Sequence, residues 1–171
     1  MTEINSLKTA IREADINDVK LIHDLANEIW PLVYSYMISE EQIHYMLQLL
    51  YNEEELKNQI IELNHHFILI FVNEKAVGFA SWSAFENENE IAKLHKLYLL
   101  LSFHKQGLGK LLIEEIYKKT RVAGFNKLRL NVNRENKTLS FYLKEDFTII
   151  QSLDIPLGKF LLNDYIMEKN L

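Results

Sequence analysis

Apolar residues along this chain change their spacing several times, and each change marks an element. Thr9, Ile11 and Glu13 alternate with Lys8, Ala10 and Arg12, the pattern of a short edge strand. From Asp15 the apolar positions Ile16, Val19, Ile22, Leu25, Ala26 and Ile29 recur at threes and fours, which predicts an amphipathic helix stopping near Trp30 and Pro31. Ser39 with Gln42 forms a capping-box pattern ahead of Ile43, Met46, Leu47 and Leu50, and Asn52 with Glu55 repeats it ahead of Leu56 and Ile60. Two more helices are expected there. The stretch from His66 to Val72 is rich in Phe and Ile, Asn73 to Lys75 reads as a turn, and Ala76 to Phe85 is its partner strand.

After the polar run at 86–90, Ile91 to Leu101 is apolar and aromatic enough for a central strand. It leads into Gly107, Leu108, Gly109 and Lys110, which open a helix carrying Leu111, Leu112, Ile116 and Tyr117 and ending at Gly124 as a left-handed cap. Leu128, Leu130 and Val132 alternate with Arg129, Asn131 and Asn133 in the next strand, and Thr138 to Lys144 is a short helix. Phe147 to Leu153 and Phe160 to Met167 are closing strands joined around Pro156 and Gly158. No repeat or linker divides the chain, so residues 1–171 are read as one domain.

A strand, a glycine pair and a helix form the general layout of a phosphate site, because glycines let the backbone approach and the first helical N–H groups point at the anion. Lys105 and Lys110 add positive charge. A Walker loop would need a second glycine five positions on followed by Lys and Ser or Thr, and a dinucleotide fingerprint a third glycine where Leu112 stands. Neither fits, and a plain tight turn remains open at this point.

Composition narrows the chemistry. Nineteen Lys and Arg against 24 Asp and Glu give a net charge of −5, which provides no overall basic field for nucleic acid. The absence of cysteine excludes disulfides, zinc thiolate sites and a cysteine acyl-enzyme. The N-terminal stretch has no basic start or apolar run of leader length, and no segment approaches a membrane span, so a cytoplasmic location without membrane association is expected. His65 and His66 are adjacent and point to opposite faces, which argues against a shared metal site.

Two blocks carry a resemblance. The segment LHKLYLLLSFHKQGLGKLLIEEI resembles the acyl-CoA motif of the GNAT N-acetyltransferases, which runs from a strand through a Q/R-x-x-G-x-G/A loop into a helix. LRLNVNRENKTLSFYLKEDF is similar to the family's next strand, its Asn-led helix bearing Phe-Tyr and its Gly-Phe ending. His104 stands where the family has Gln or Arg, Lys105 where it often has Gly, and Asp146 where Gly precedes the Phe; Asp tolerates the left-handed region. The resemblance covers nearly the whole chain. It implies an α/β fold of the α+β type: a mixed, mostly antiparallel sheet of about six or seven strands, splayed between the fourth and fifth and flanked by about four or five helices. The arrangement, including FILIFVNEKAVGF before the fourth strand, loosely resembles the bacterial spermidine/spermine acetyltransferase branch.

The resemblance also implies acetyl transfer from acetyl-CoA to a primary amine by direct attack in a ternary complex, without a metal. The cradle would be His104, Lys105, Gln106, Gly107, Leu108, Gly109 and Lys110, with backbone groups of Leu97, Tyr98 and Leu99 free along the splayed strand. Tyr142 matches the tyrosine that protonates the leaving thiolate, and Asn136 the residue that contacts the pantetheine arm, where N-capping is the competing role. His95, two residues before Leu97, is the candidate base. Trp30, Tyr34 and Tyr36 would wall the acceptor cleft, and Asp24, Glu28, Glu40 and Glu41 would attract a cationic small-molecule amine of the polyamine kind. Open alternatives are a catalytically silent acyl-CoA-binding module, a peptide or protein amine as acceptor, and a homodimer formed by the last strands.

Overall fold

The computed structural model describes residues 8–171, so the first seven residues of the stretch read above for a leader lie outside the described residues. Seven strands form one sheet in the order β1-β2-β3-β4-β5-β7-β6: β1 Thr9–Glu13, β2 His66–Val72, β3 Lys75–Ala84, β4 Ile91–Leu99, β5 Lys127–Asn133, β6 Thr148–Leu157 and β7 Phe160–Asn170. All neighbours are antiparallel except β4 and β5, which are joined by a helical crossover. The helices are α1 Val19–Tyr34, α2 Glu40–Leu50, α3 Glu53–Ile61, α4 Leu108–Val122 and α5 Leu139–Lys144. No helix among the described residues is long and apolar enough to cross a membrane.

Local chemistry explains most of these boundaries. The Ser39 and Asn52 side chains accept from the amides of Gln42 and Glu55, starting α2 and α3 as their sequence signatures predict. Asn73 and Glu74 both adopt positive φ in the β2–β3 hairpin, the conformation that matches the twist of the paired strands. Asp146 takes a positive φ of 64°, so the carboxylate residue fills the position where glycine was expected.

Three boundaries differ from expectation. Helix α1 does not stop at Pro31 but continues to Tyr34, with the tilted rings of Trp30 and Tyr34 packed 4.3 Å apart and Trp30 buried, contacts that offset the hydrogen bond Pro31 cannot donate. Strand β4 ends at Leu99, and Leu101–Phe103 form a 3-10 turn. Strand β6 runs through Pro156 to Leu157; it lies at the sheet edge, where a proline costs no ladder bond.

One face of the sheet is packed by α4, which lies chiefly on β4 and β3, and Leu112, Ile113 and Ile116 join Leu128, Leu130, Val132 and Met167 in one continuous core. The opposite face of β2–β4 is covered by α1–α3 through Tyr51, Phe79 and Tyr98. Beyond β4 that second face carries no helix contact of comparable size, and β5 and β7 present Asn131, Asn133, Asp164 and Ile166 there, all half-exposed.

Candidate active site

The parallel ladder between β4 and β5 covers only Ile91–Leu94 against Lys127–Leu130. Both strands continue, so His95–Leu99 and Asn131–Asn133 border a gap in the sheet. The gap opens at a bulge: Ser81 pairs with Lys96 and Trp82 with Leu94, leaving His95 as the extra residue. Leu100 N–H donates to Val77 O at 2.8 Å, which makes Gly78 and Leu99 a pair without mutual hydrogen bonds. The N–H and C=O groups of Leu99 and Leu97 therefore face the gap, while those of Tyr98 face β3. This corrects the expectation that Tyr98 also offers a free backbone group; its contribution is the side chain. At Gly78 a Cβ would lie 2.4 Å from Tyr98 O, so only glycine lets β3 and β4 approach this closely.

Past the end of β4 the chain makes a nest of amides. Lys105 (φ 60°) and Gly107 (φ 80°) are both left-handed, and Gly107 caps α4. None of the amides from Lys105 to Lys110 donates to a protein acceptor among the described residues. A Cβ on Gly109 would meet only Leu99 and Phe141 at ordinary contact distance, so the fold itself does not demand glycine there. His104 departs from its expected role: its amide donates to Leu101 O and its Nε2 to Leu99 O at 3.0 Å, so both are spent inside the protein. Gln106 likewise ties its side-chain amide to Ser102 O, leaving its backbone N–H for the nest.

On α5, beyond the end of β5, the Tyr142 ring packs on Phe141 and Phe147, and its hydroxyl has no protein partner among the described residues. Burial raises its phenol above the ordinary value, which keeps it protonated. Asn136 is buried and its Oδ1 accepts from Thr138 N and Oγ1 at 2.8 and 2.7 Å, a turn just ahead of α5 whose N-cap is Thr138, and its Nδ2 is left over.

The family description that matches residues 36–154 is an acetyltransferase (GNAT) domain. The chain belongs to the GNAT acetyltransferases. It is 30% identical over 164 residues to a spermidine N(1)-acetyltransferase from Thermoplasma acidophilum, covering 93% of this chain and 95% of that protein. The crystal structure of PaiA N-acetyltransferase from Thermoplasma acidophilum in complex with coenzyme A superposes with a TM-score of 0.81 at 29% identity, over 96% and 99% of the two chains. A GCN5-related N-acetyltransferase from Rhodopseudomonas palustris shares the fold at the same TM-score, 18% identical over 96% of both chains. The splayed mixed sheet and its flanking helices are those of a GNAT enzyme.

On the acceptor side of this GNAT chain the candidates separate. Trp30 is 4% exposed and packs among Tyr34, Tyr51 and Tyr98, so it is a core residue behind the cleft and not part of its wall. Tyr34 is half-buried with its hydroxyl 3.1 Å from that of Tyr98. Its phenol is raised by burial and by the neighbouring phenols Tyr98, Tyr142 and Tyr36, which brings Tyr142 into the same cluster. Tyr36 accepts from Lys137 N–H at 2.9 Å, linking the α1–α2 loop to the α5 side of the gap. Asp24 is paired with Lys20 at 2.7 Å and lies about 15 Å along the helix from Tyr34, and Glu41 is paired with Lys159. Neither is poised to draw an amine into the gap.

His95 Nε2 lies 2.8 Å from Ser83 Oγ, and its ring stacks on His65. Burial pushes its imidazole down to about 2, with His65, Lys96 and Lys93 adding to the effect. Burial thus favours the neutral imidazole, which weighs against His95 as the base expected from the sequence. Next to it Lys96 donates to Gln59 Oε1 at 2.8 Å and lies over Tyr51 and Phe67, anchoring the bulge to α3; burial pushes this ammonium down to about 8. Ser83 and Gln59 were not singled out by sequence, and His65 only as a metal ligand argued against, since each meets β4 only through the sheet pairing and helix packing. An open groove of about 460 Å³ between β1 and α4, lined by Ile11, Leu111 and Lys118, lies away from all of these groups.

Proposed function

We propose that the chain moves the acetyl group of acetyl-CoA onto a primary amine of a small polycationic molecule of the polyamine class. The observation that carries this reading is the gap between β4 and β5 with the unpaired amide nest at one end. These groups fit acetyl-CoA. The amides of Lys105–Lys110 offer successive donors to a pyrophosphate, helped by the exposed cations of Lys105 and Lys110. Leu97 offers a strand-like donor and acceptor and Leu99 an N–H to an amide-bearing arm, and Asn136 Nδ2 adds another donor.

When bound, acetyl-CoA supplies a thioester carbonyl open to attack and a thiolate leaving group. The Leu97 N–H is positioned to donate to the carbonyl oxygen as charge develops on it. Tyr142, held neutral by burial, gives its proton to the departing sulfur and is reprotonated from solvent. His95 in this reading stays a neutral partner of Ser83 that fixes the bulge, and the amine sheds its proton to solvent before attack. The relative named as a spermidine acetyltransferase supports the choice of acceptor class.

The test is thiol release from acetyl-CoA with polyamines, aminoglycosides, amino acids and peptides as acceptors. Turnover with spermidine-like amines is expected; turnover only with peptide or amino-acid amines would replace the acceptor class, and none with any amine would leave a binding module.

A further inference from the structure

Two carboxylates on β7 share the face that turns away from α4, and their surroundings differ. Glu168 accepts from Arg129 at 2.7 Å and Lys127 at 3.0 Å, so its charge is matched where it sits. Asp164 is half-buried and takes part in no ion pair among the described residues. Asn131 lies beside it on β5, while Lys93 on β4 and Arg134 contribute only at longer range. Arg134 is already engaged by Asp154 and by Leu153 O. Burial raises the Asp164 carboxyl above its ordinary value against the pull of these three neighbours. A partly desolvated carboxylate without a paired cation is destabilising unless something else supplies the charge.

The register shows where that something would be. Asp164 pairs with Asn133, which belongs to the part of β5 that β4 has left. The side-chain face follows from the cross-strand partners. Lys93 and Arg129 both lie over Phe85, Arg129 pairs with Glu168, and period two then puts Asn131, Asn133, Ile166 and Asp164 on that same face. Two paired strand spacings of about 4.8 Å would separate Asp164 from β4, and the strands have parted there, so Asp164 stands at least about 10 Å across the sheet from the edge of β4 where Leu97 offers its N–H.

We propose that Asp164 binds a second, protonated nitrogen of the acceptor while the first lies in the gap at Leu97 and Tyr142. The site then measures the distance between two amines. An extended chain rises about 1.2 Å per bond, so the preferred acceptor has nitrogens at least about eight bonds apart. Long diamines and triamines meet this, whereas short diamines and monoamines do not. The proposal rests on the acceptor reading given above.

The experiment is thiol release from acetyl-CoA with α,ω-diamines from 1,3-diaminopropane to 1,8-diaminooctane, with spermidine, and with hexylamine as the single-charge reference. In the wild type kcat/KM is expected to climb with chain length at least as far as 1,7-diaminoheptane. Asp164→Asn should raise KM for 1,7-diaminoheptane and spermidine at least tenfold, with kcat and the hexylamine KM within about twofold. Glu74→Gln, the same charge change at the β2–β3 turn, should leave the long-diamine KM within about twofold. Should Asp164→Asn fail to fold, Asp164→Glu moves the carboxylate outward by one methylene and should shift the preferred diamine about one carbon shorter. Equal use of hexylamine and long diamines by the wild type, an equal effect of Asp164→Asn on both, or an unshifted preference in Asp164→Glu overturns the role of Asp164 while the acetyltransferase reading stands. Failure of every amine in the series overturns the acceptor reading itself, and this inference with it.

Discussion

The imidazoles of His65 and His95 lie face to face, their centroids 3.9 Å apart and their planes within 13°. His95 sits on the bulge where β4 begins to leave β5, and His65 is the last residue before β2, so the stack ties the start of the gap to the neighbouring part of the sheet. Burial drives both rings down, His65 to about 4 and His95 to about 2. The folded state thus holds fewer protons than the unfolded chain below about pH 6.5. Stability contributed by the neutral pair is complete above that value and is lost as pH falls toward 4. The melting temperature is expected to drop between pH 7 and pH 5, before the carboxylates titrate. His65→Phe, which keeps a ring on His95 and cannot charge, should flatten that slope; calorimetry across the pH range reads it directly, and an unaltered slope would remove His65 from the account.

Tyr142→Phe keeps the contacts with Phe141 and Phe147 and removes only the donor. Turnover should fall roughly 100-fold or more, within the general-acid range, while the melting shift produced by acetyl-CoA persists. A turnover within about twofold of wild type would reduce the residue to packing.

Gly109 is the cleaner probe of the cradle, because a side chain there meets only ordinary contacts whereas Gly107 sits at φ 80°. Gly109→Glu should fold and yet lose the acetyl-CoA melting shift, since the new carboxylate repels phosphate at the start of α4. An undiminished shift in the folded variant would move the binding site elsewhere.

At Gly78 the fold has no room: a Cβ would lie 2.5 Å from the Leu99 side chain as well as 2.4 Å from Tyr98 O. Gly78→Ala should cost about 1–3 kcal/mol of stability by overpacking. Because it pushes on β4 at the edge of the gap, kcat/KM should fall even at temperatures where the variant is fully folded. Denaturant unfolding and steady-state rates on the same sample separate the two effects.

Much of this enzyme was legible in its sequence because it depends on neighbours a few residues apart. Capping by Ser39 and Asn52, the left-handed cap at Gly107 and the alternation of Leu130 with Asn131 are set by local hydrogen bonding, backbone sterics and side-chain period. The glycine loop and the Phe-Tyr block were visible for the same reason. What the sequence could not decide is which residues meet across the sheet. One extra residue at His95 shifts the register, turns the backbone of Leu97 and Leu99 into the gap and places His95 against Ser83 and His65. Burial then makes that histidine a poor base, although its place in the strand suggested a good one. Trp30 changed from cleft wall to core because α1 continues past Pro31, and Asp164 gained its unmatched charge only when β7 was laid beside the open end of β5. Pairing register and desolvation are properties of strands brought together from distant parts of the chain, so tertiary structure alone could assign them.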